Sequence, residues 1–277
     1  MLQIHVVAIV IREAPLQSGQ TADPGLARNR SALAIVQKVL WWIIRLAPIG
    51  TAGLIGYAIA AYGWTSLASL AWFAVAIYVG LAVVLFVVYP ILLRTNGLKI
   101  SSYFRGAWPA IQLAFVSRSS IGTLPVTQRV TERNLGVPSE YASFAVPLAA
   151  TTKMDGCASI YPAISAIFVA QIFGIDLSIT DYLLIAFVSV VGSAATAGLT
   201  GAIVMLTLTL STVGLPLAGV GLLLAIDPIL DMGRTAVNVA GQALVPTIVA
   251  KREGILALEQ DEAAPAVAEC WEPVHEG

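Results

Sequence analysis

The sequence predicts an all-α membrane protein made of spanning helices and two oppositely oriented re-entrant helical hairpins. Three observations carry that expectation. Of 277 residues, 58% are hydrophobic and only 11% charged, whereas soluble chains carry about 25% charged residues. Long stretches hold no charge at all, among them residues 66–93 and 182–226. Short polar, glycine-containing segments interrupt the apolar blocks, and such backbone is tolerated at membrane depth only where it lies in protein or lines a wet cavity.

The inventory of side chains excludes several function classes. Fifteen basic and 16 acidic residues give a net charge of −1, so no global field favours nucleic acid. Cys157 and Cys270 lie in very different contexts and form no disulfide framework or metal site. The only histidines, His5 and His275, sit near the chain ends. An intramembrane hydrolase is disfavoured, because no histidine lies in the apolar blocks and Asp227 and Asp231 share a helix stripe with Arg234. No enzymatic activity and no cofactor are expected.

Taken in order, residues 1–31 receive no assignment; the short apolar run at their start lacks the basic residues of a signal peptide. Residues 32–63 form a first crossing, with Lys38 and Arg45 in its first half and Pro48 interrupting it. Residues 66–93 form a second, since a helix of that length at ~1.5 Å per residue exceeds the ~30 Å hydrocarbon core. A hairpin near 106–130 turns at Arg118-Ser119-Ser120-Ile121-Gly122-Thr123. A crossing over 141–173 is broken at Thr151-Thr152-Lys153-Met154-Asp155-Gly156 and reads as an unwound helix. A second hairpin near 182–214 turns between Gly192 and Gly201, its arms each shorter than the ~20 residues a crossing needs. Residues 222–250 form the last crossing, and 255–277, rich in Ala and Glu, read as a disordered tail.

The basic residues outside the deep apolar blocks form four groups, at 12–45, 94–105, 129–133 and 251–252, whereas the loops near 62–66, 174–181 and 214–221 contain none. By the positive-inside rule the basic groups and the C-terminus face the cytoplasm, placing the protein in the cell's inner (plasma) membrane. The two hairpins then enter from opposite sides, an inverted repeat of the kind that builds secondary transporters. The alternative is two ordinary, irregular helical pairs.

Arg118, Lys153 and Arg234 remain inside apolar blocks, where a charge costs ~2.5–3.5 kcal/mol on insertion scales and calls for a cavity or a partner. The available partners are Asp155, Asp227 and Asp231. Asp227, Asp231, Arg234, Asn238 and Gln242 are spaced by four, three, four and four, which places them on one helix stripe. An arginine there can bind a substrate carboxylate bidentately while Asp231 accepts a substrate ammonium. Ser119 and Ser120 can bind another carboxylate at a helix N-terminus. The alternative is that Asp231 and Arg234 merely neutralise each other.

The segments Arg118-Ser119-Ser120 through Gly122-Thr123-Leu124-Pro125-Val126-Thr127, then Met154-Asp155-Gly156, then Asp231-Met232-Gly233-Arg234-Thr235 with Val237-Asn238-Val239, resemble the dicarboxylate/amino acid:cation symporters, which include the glutamate transporters. The resemblance runs from about residue 35 to 254. Gly156-Cys157-Ala158 with Ile160-Tyr161-Pro162 looks more like the family's cystine-transporting branch. The resemblance implies a homotrimer in the lipid bilayer, with residues 32–95 as two spanning helices of scaffold and transport domain and 96–254 as the mobile transport domain. The cargo would be a small anionic or zwitterionic substrate. Arg234 would hold its distal carboxylate and Asp231 its amino group; Thr235, Asn238 and Cys157 would complete the site, with Arg118, Ser119 and Ser120 at the first tip and Gly198 to Gly201 at the second. Asp155 would be a sodium ligand, Asn238 would offer its carbonyl to another, and a further cation site would draw on Thr151, Ser193 and Thr196.

The departures from the family pattern fall on the cation sites and near the substrate, where Ile121 also replaces a usual serine and Thr200 a usual proline. Lys153 stands where asparagine is usual, Gln242 where a sodium-binding aspartate is usual, and Cys157 replaces a threonine. An ammonium two positions from Asp155 can supply the charge that a sodium ion would bring. The expectation is therefore reduced or absent sodium coupling, with Lys153 as a tethered cation or part of a proton-coupled site; alternatively Lys153 only neutralises Asp155. The sequence does not rank cystine, acidic amino acids and dicarboxylates. A truncated, transport-incompetent member of the family is the alternative expectation, since the resemblance does not include the family's first helices.

Overall fold

The computed structural model describes residues 70–193, 201–217 and 226–257, with Ser31, Ile35, Val220, Leu223 and Leu224 besides. The chain divides into a unit Met1–Ala52 and a unit Gly53–Gly277. In the first, only Ser31 and Ile35 are described, both helical and exposed. The 1–31 segment, the crossing at 32–63 and residues 258–277 of the expected tail thus lie essentially outside the described residues. Every regular element among the described residues is a helix.

Helix α1, Leu70–Thr95, is, among the described residues, one of two stretches long and apolar enough to cross a membrane, the other being Ser139–Ile172. Its 26 residues rise ~39 Å. Leu70, Phe73, Ile77 and Leu81 are buried at helical spacing, whereas Trp72, Val79 and Phe86 are exposed on the other side. Eight residues after Leu81, Tyr89 would lie about 80° off that buried face in an uninterrupted α-helix. A π-helical turn over Val84–Val88 takes up one residue and brings Tyr89 and Leu93 back onto it.

Helices α2, Ile100–Ser117, and α3, Ser120–Arg133, form a helical hairpin joined by Arg118 and Ser119. Its open end is closed by the Asn134 side chain donating to the Gly106 carbonyl at 3.0 Å. Gly106 permits this approach, since a Cβ there would sit 2.8 Å from Leu135. The arms are longer than the 106–130 expected from sequence because the extended Lys99, rather than a change in hydropathy, sets the start of α2.

Helix α4, Ser139–Thr152, stops where Lys153 turns extended and Met154 leaves helical geometry. The chain restarts as a π-helical turn, Asp155–Ile160, and continues as α5, Tyr161–Ile172. Helices α6, Ile179–Ser193, and α7, Gly201–Thr212, pack on each other, on α5 and on the π-turn. Helix α8, Asp227–Arg252, starts later than the expected residue 222 because Pro228 in its first turn fixes a helix start there. From Gly233 to Leu244 every residue of α8 is buried, as befits a helix surrounded on all sides. It packs on α2, α3, α4 and the π-turn. Past its end, Ile255 and Ala257 still make backbone hydrogen bonds, Ala257 to Gly136, so packing extends three residues beyond 254.

Candidate functional site

The site is built around α8. Arg234 is completely buried, and its Nη2 donates to Asp227 Oδ1 at 2.7 Å and to Asp231 Oδ1 at 3.2 Å, both carboxylates being about a quarter exposed. Its guanidinium carbon stacks 4.0 Å above the Tyr161 ring, a cation–π contact that further stabilises a desolvated charge. Arg234 Nε and Nη1 have no hydrogen-bond partner among the described residues. A buried donor left without an acceptor costs about 1–3 kcal/mol, so each of these two nitrogens is suited to an incoming acceptor. Arg234 is thus ion-paired to two carboxylates through one nitrogen, while its other two nitrogens have no hydrogen-bond partner among the described residues.

One turn on, Thr235 Oγ1 donates to Asp231 Oδ1 at 3.4 Å, and Cys157 Sγ lies 3.8 Å from the same oxygen. Asn238, fully buried, accepts the backbone N–H of Gly156 at 2.8 Å and of Cys157 at 3.4 Å. These are orphan donors at the restart of a broken helix, and a buried side-chain carbonyl satisfies both. The approach is close enough that a Cβ on Gly156 would sit 2.5 Å from the Arg234 carbonyl oxygen. The break and the stripe of α8 thus form one constellation.

The break carries a second charged group. The Lys153 ammonium bonds to Asp155 Oδ2 and stands 5.0 Å over the Tyr89 ring. The Tyr89 hydroxyl donates to the same carboxylate oxygen at 2.6 Å and lies 3.2 Å from the Val237 carbonyl. Gln242 donates to the Lys153 carbonyl at 3.4 Å, and its own side-chain oxygen has no partner among the described residues.

At the first hairpin tip Arg118 adopts a left-handed conformation, φ 54°. Ser119 caps α3, its Oγ accepting from Gly122 N at 2.9 Å. Ser120 is buried as the first residue of α3. At the second hairpin, Met205 and Ala202 pack on Met154 and Cys157, and Ser159 Oγ donates to the Ser189 carbonyl. The first hairpin therefore packs on α8 and the second on the break. Gly201 opens α7 and Ser193 ends α6, while Thr196 and Gly198 lie outside the described residues. Thr151 Oγ1 donates back to the Leu148 carbonyl at 2.8 Å.

The structure therefore brings together Lys153 and Asp155 at the break, and Cys157, Asp231, Arg234, Thr235 and Asn238 beside it. It adds three residues that sequence reasoning did not place in the site. Tyr89 and Tyr161 count as apolar in hydropathy and so vanish in their blocks; a tyrosine near the end of an otherwise aliphatic run was the available signal. Asp227 was visible on the stripe, but its bond to Arg234 is the shorter of the two.

The sodium:dicarboxylate symporter family model matches residues 1–252, a span that includes the otherwise unassigned 1–31. An uncharacterized symporter of Haemophilus influenzae is 38% identical over 216 residues, which are 77% of this chain and 49% of that protein. L-cystine uptake protein TcyP of Shouchella clausii is 36% identical over 239 residues, 86% of this chain and 51% of its own. The proton/sodium-glutamate symport protein of Bacillus subtilis is 34% identical over 238 residues, 86% of this chain and 55% of its own. The chain spans about half the length of these curated relatives. Motifs, helical architecture and family match agree, and the chain belongs to the sodium:dicarboxylate symporter family.

Proposed function

We propose that this protein is a secondary active transporter of the inner membrane that carries an amino acid bearing a second carboxylate, with Arg234 holding that carboxylate and Asp231 the ammonium. The observation that carries the proposal is a fully buried Arg234 with two nitrogens that have no partner among the described residues. Asp227 and Asp231 hold the guanidinium in place, so an incoming carboxylate meets positioned N–H donors rather than mobile ones. The proximal carboxylate goes to the Arg118–Ser120 tip. The arms α6 and α7, of 15 and 12 residues, fall short of the ~20 a crossing needs, which supports the re-entrant reading of that hairpin. The homotrimer with a mobile transport part rests on family membership.

Coupling is the second part of the proposal. The Asp155 carboxylate already takes the Lys153 ammonium and the Tyr89 hydroxyl, the side-chain carbonyl of Asn238 is engaged by two N–H groups, and Gln242 is an uncharged amide. These residues do not fit a sodium ion at Asp155, and Lys153 supplies the positive charge there as a tethered cation.

The test is uptake of labelled cystine, aspartate, glutamate and succinate into proteoliposomes containing the full chain, with and without a sodium gradient. Amino acid uptake that is lost in Arg234→Ala and rises little with sodium is expected, with a steeper sodium dependence in Lys153→Asn. Uptake that rises steeply with sodium and is unchanged in Lys153→Asn would contradict the coupling proposal.

A further inference from the structure

Two cavities adjoin each other at the end of α5. The first, about 480 Å³, lies between α1 and α5 and is walled by Trp72, Phe73, Ile164, Phe168 and Ile172. Phe73 and Phe168 pack there with ring centroids 4.7 Å apart. The second, about 370 Å³, lies beside the turn between α5 and α6 and is lined by Gln171, Gly174, Asp176 and Tyr182. Ile167 and Gln171 line both, so an apolar groove runs directly into a polar one. One membrane-length stretch begins at Leu70 and the other ends at Ile172, so the junction falls where both reach the membrane surface. Trp72 and Tyr182, both exposed, are the residue types that mark that boundary.

The polar groove holds one uncommitted charge. Asp181, the other acid of this turn, is taken by the N–H and hydroxyl of Ser178, whereas the side chains of Gln171, Asp176 and Tyr182 have no hydrogen-bond partner among the described residues. None of the residues lining either cavity is basic, and residues 174–181 contain no Lys, Arg or His. The set is therefore one anionic acceptor beside two neutral donors, the Gln171 amide and the Tyr182 hydroxyl, at the mouth of an apolar slot.

We infer that this junction binds a membrane phospholipid whose headgroup carries a primary ammonium, with one acyl chain in the groove between α1 and α5 and the ammonium on Asp176. Gln171 and Tyr182 donate to the phosphate, and Asp176 accepts an ammonium N–H in a charge-assisted hydrogen bond. A small polar solute would leave the apolar slot unfilled, and a plain hydrocarbon would leave Asp176 unpaired; an amphiphile meets both. An anionic headgroup brings like charge to Asp176 with no basic lining residue to offset it. A quaternary ammonium keeps the charge but has no N–H to donate. The bound lipid ties the start of α1 to the turn between α5 and α6, and the inference stands independently of the Arg234 reading.

The experiment is native mass spectrometry of the purified full chain in detergent, titrated with phosphatidylethanolamine, phosphatidylcholine and phosphatidylglycerol of identical acyl chains. Wild type is expected to bind one phosphatidylethanolamine about tenfold more tightly than either of the others, as befits a hydrogen bond to a charged group. Asp176→Asn should bind the three alike, while Asp181→Asn, whose carboxylate is already engaged by Ser178, should keep the preference. Ala76→Trp, which fills the apolar groove from its lining, should weaken all three lipids together, with melting curves showing that each variant is folded. Equal binding of the three lipids by wild type, binding of none, or a preference that survives Asp176→Asn would overturn the inference. So would undiminished binding by folded Ala76→Trp.

Discussion

At the residue scale, Asn238 links two functions that are usually separate. Its side-chain carbonyl satisfies the Gly156 and Cys157 N–H groups, and its Nδ2 has no partner among the described residues. Asn238→Ala leaves two buried donors without an acceptor, at about 1–3 kcal/mol each. The variant is expected to melt several degrees lower in detergent and to lose substrate binding, whereas Asn238→Asp, which keeps the acceptor, should retain most of the thermal stability. Equal melting of wild type and Asn238→Ala would show that the amide does not hold the break. Arg234 illustrates a different point about reach. The sequence pairs it with Asp231, its neighbour at i−3, but the shorter bond goes to Asp227 at i−7. Helical side chains lean toward the N-terminus, and a long arginine spans two turns in that direction.

The element that makes the site is the broken helix, not any regular one. Lys153 and Met154 interrupt it, Gly156 lets α8 approach, and the π-turn rotates Cys157 toward Asp231. In Gly156→Ala the new Cβ would meet the Arg234 backbone at 2.5–3.0 Å, and backbone cannot yield as a flexible side chain can. A loss of about 1–3 kcal/mol is expected from such overpacking, with a lower melting temperature and weaker binding; a variant indistinguishable from wild type would show that the close approach is dispensable. At the start of α6, Ser178 donates to Asp181 through both its N–H, at 2.9 Å, and its hydroxyl, at 2.7 Å. These bonds hold the exposed Asp181 carboxyl below the usual aspartate range. A depressed folded-state value means that this contribution is present above the ordinary aspartate range and is lost as pH falls through the lowered one. Ser178→Ala should move the Asp181 titration, followed by NMR, back toward the ordinary range, and an unmoved titration would contradict the assignment. The break was legible in the sequence because Lys153 and Asp155 are costly in an apolar run. The π-turn at Val84–Val88 was not, since five aliphatic residues carry no trace of their register.

Across the whole molecule, what the sequence made visible was charge. In a chain that is only 11% charged, each ionised group in an apolar block stands out, and Arg118, Lys153 and Arg234 were found on that ground alone. The tyrosines that tie α1 and α2 to α8 were hidden by the same logic. Tyr78 donates to the Ile229 carbonyl at 2.7 Å and Tyr103 to that of Ala240, yet both read as apolar. Long-range packing decides their roles, and periodicity carries no information about it. Family membership and geometry together place the weight of the proposal on one buried cation between two acids. The most direct test is calorimetric titration of the purified full chain with cystine and with glutamate, beside Arg234→Lys and Arg234→Ala, with melting curves to confirm that each variant is folded. Saturable binding by wild type that weakens at least tenfold in Arg234→Lys, where charge remains but the planar fork is gone, and disappears in Arg234→Ala is the expected result. Undiminished binding by folded Arg234→Ala would contradict it.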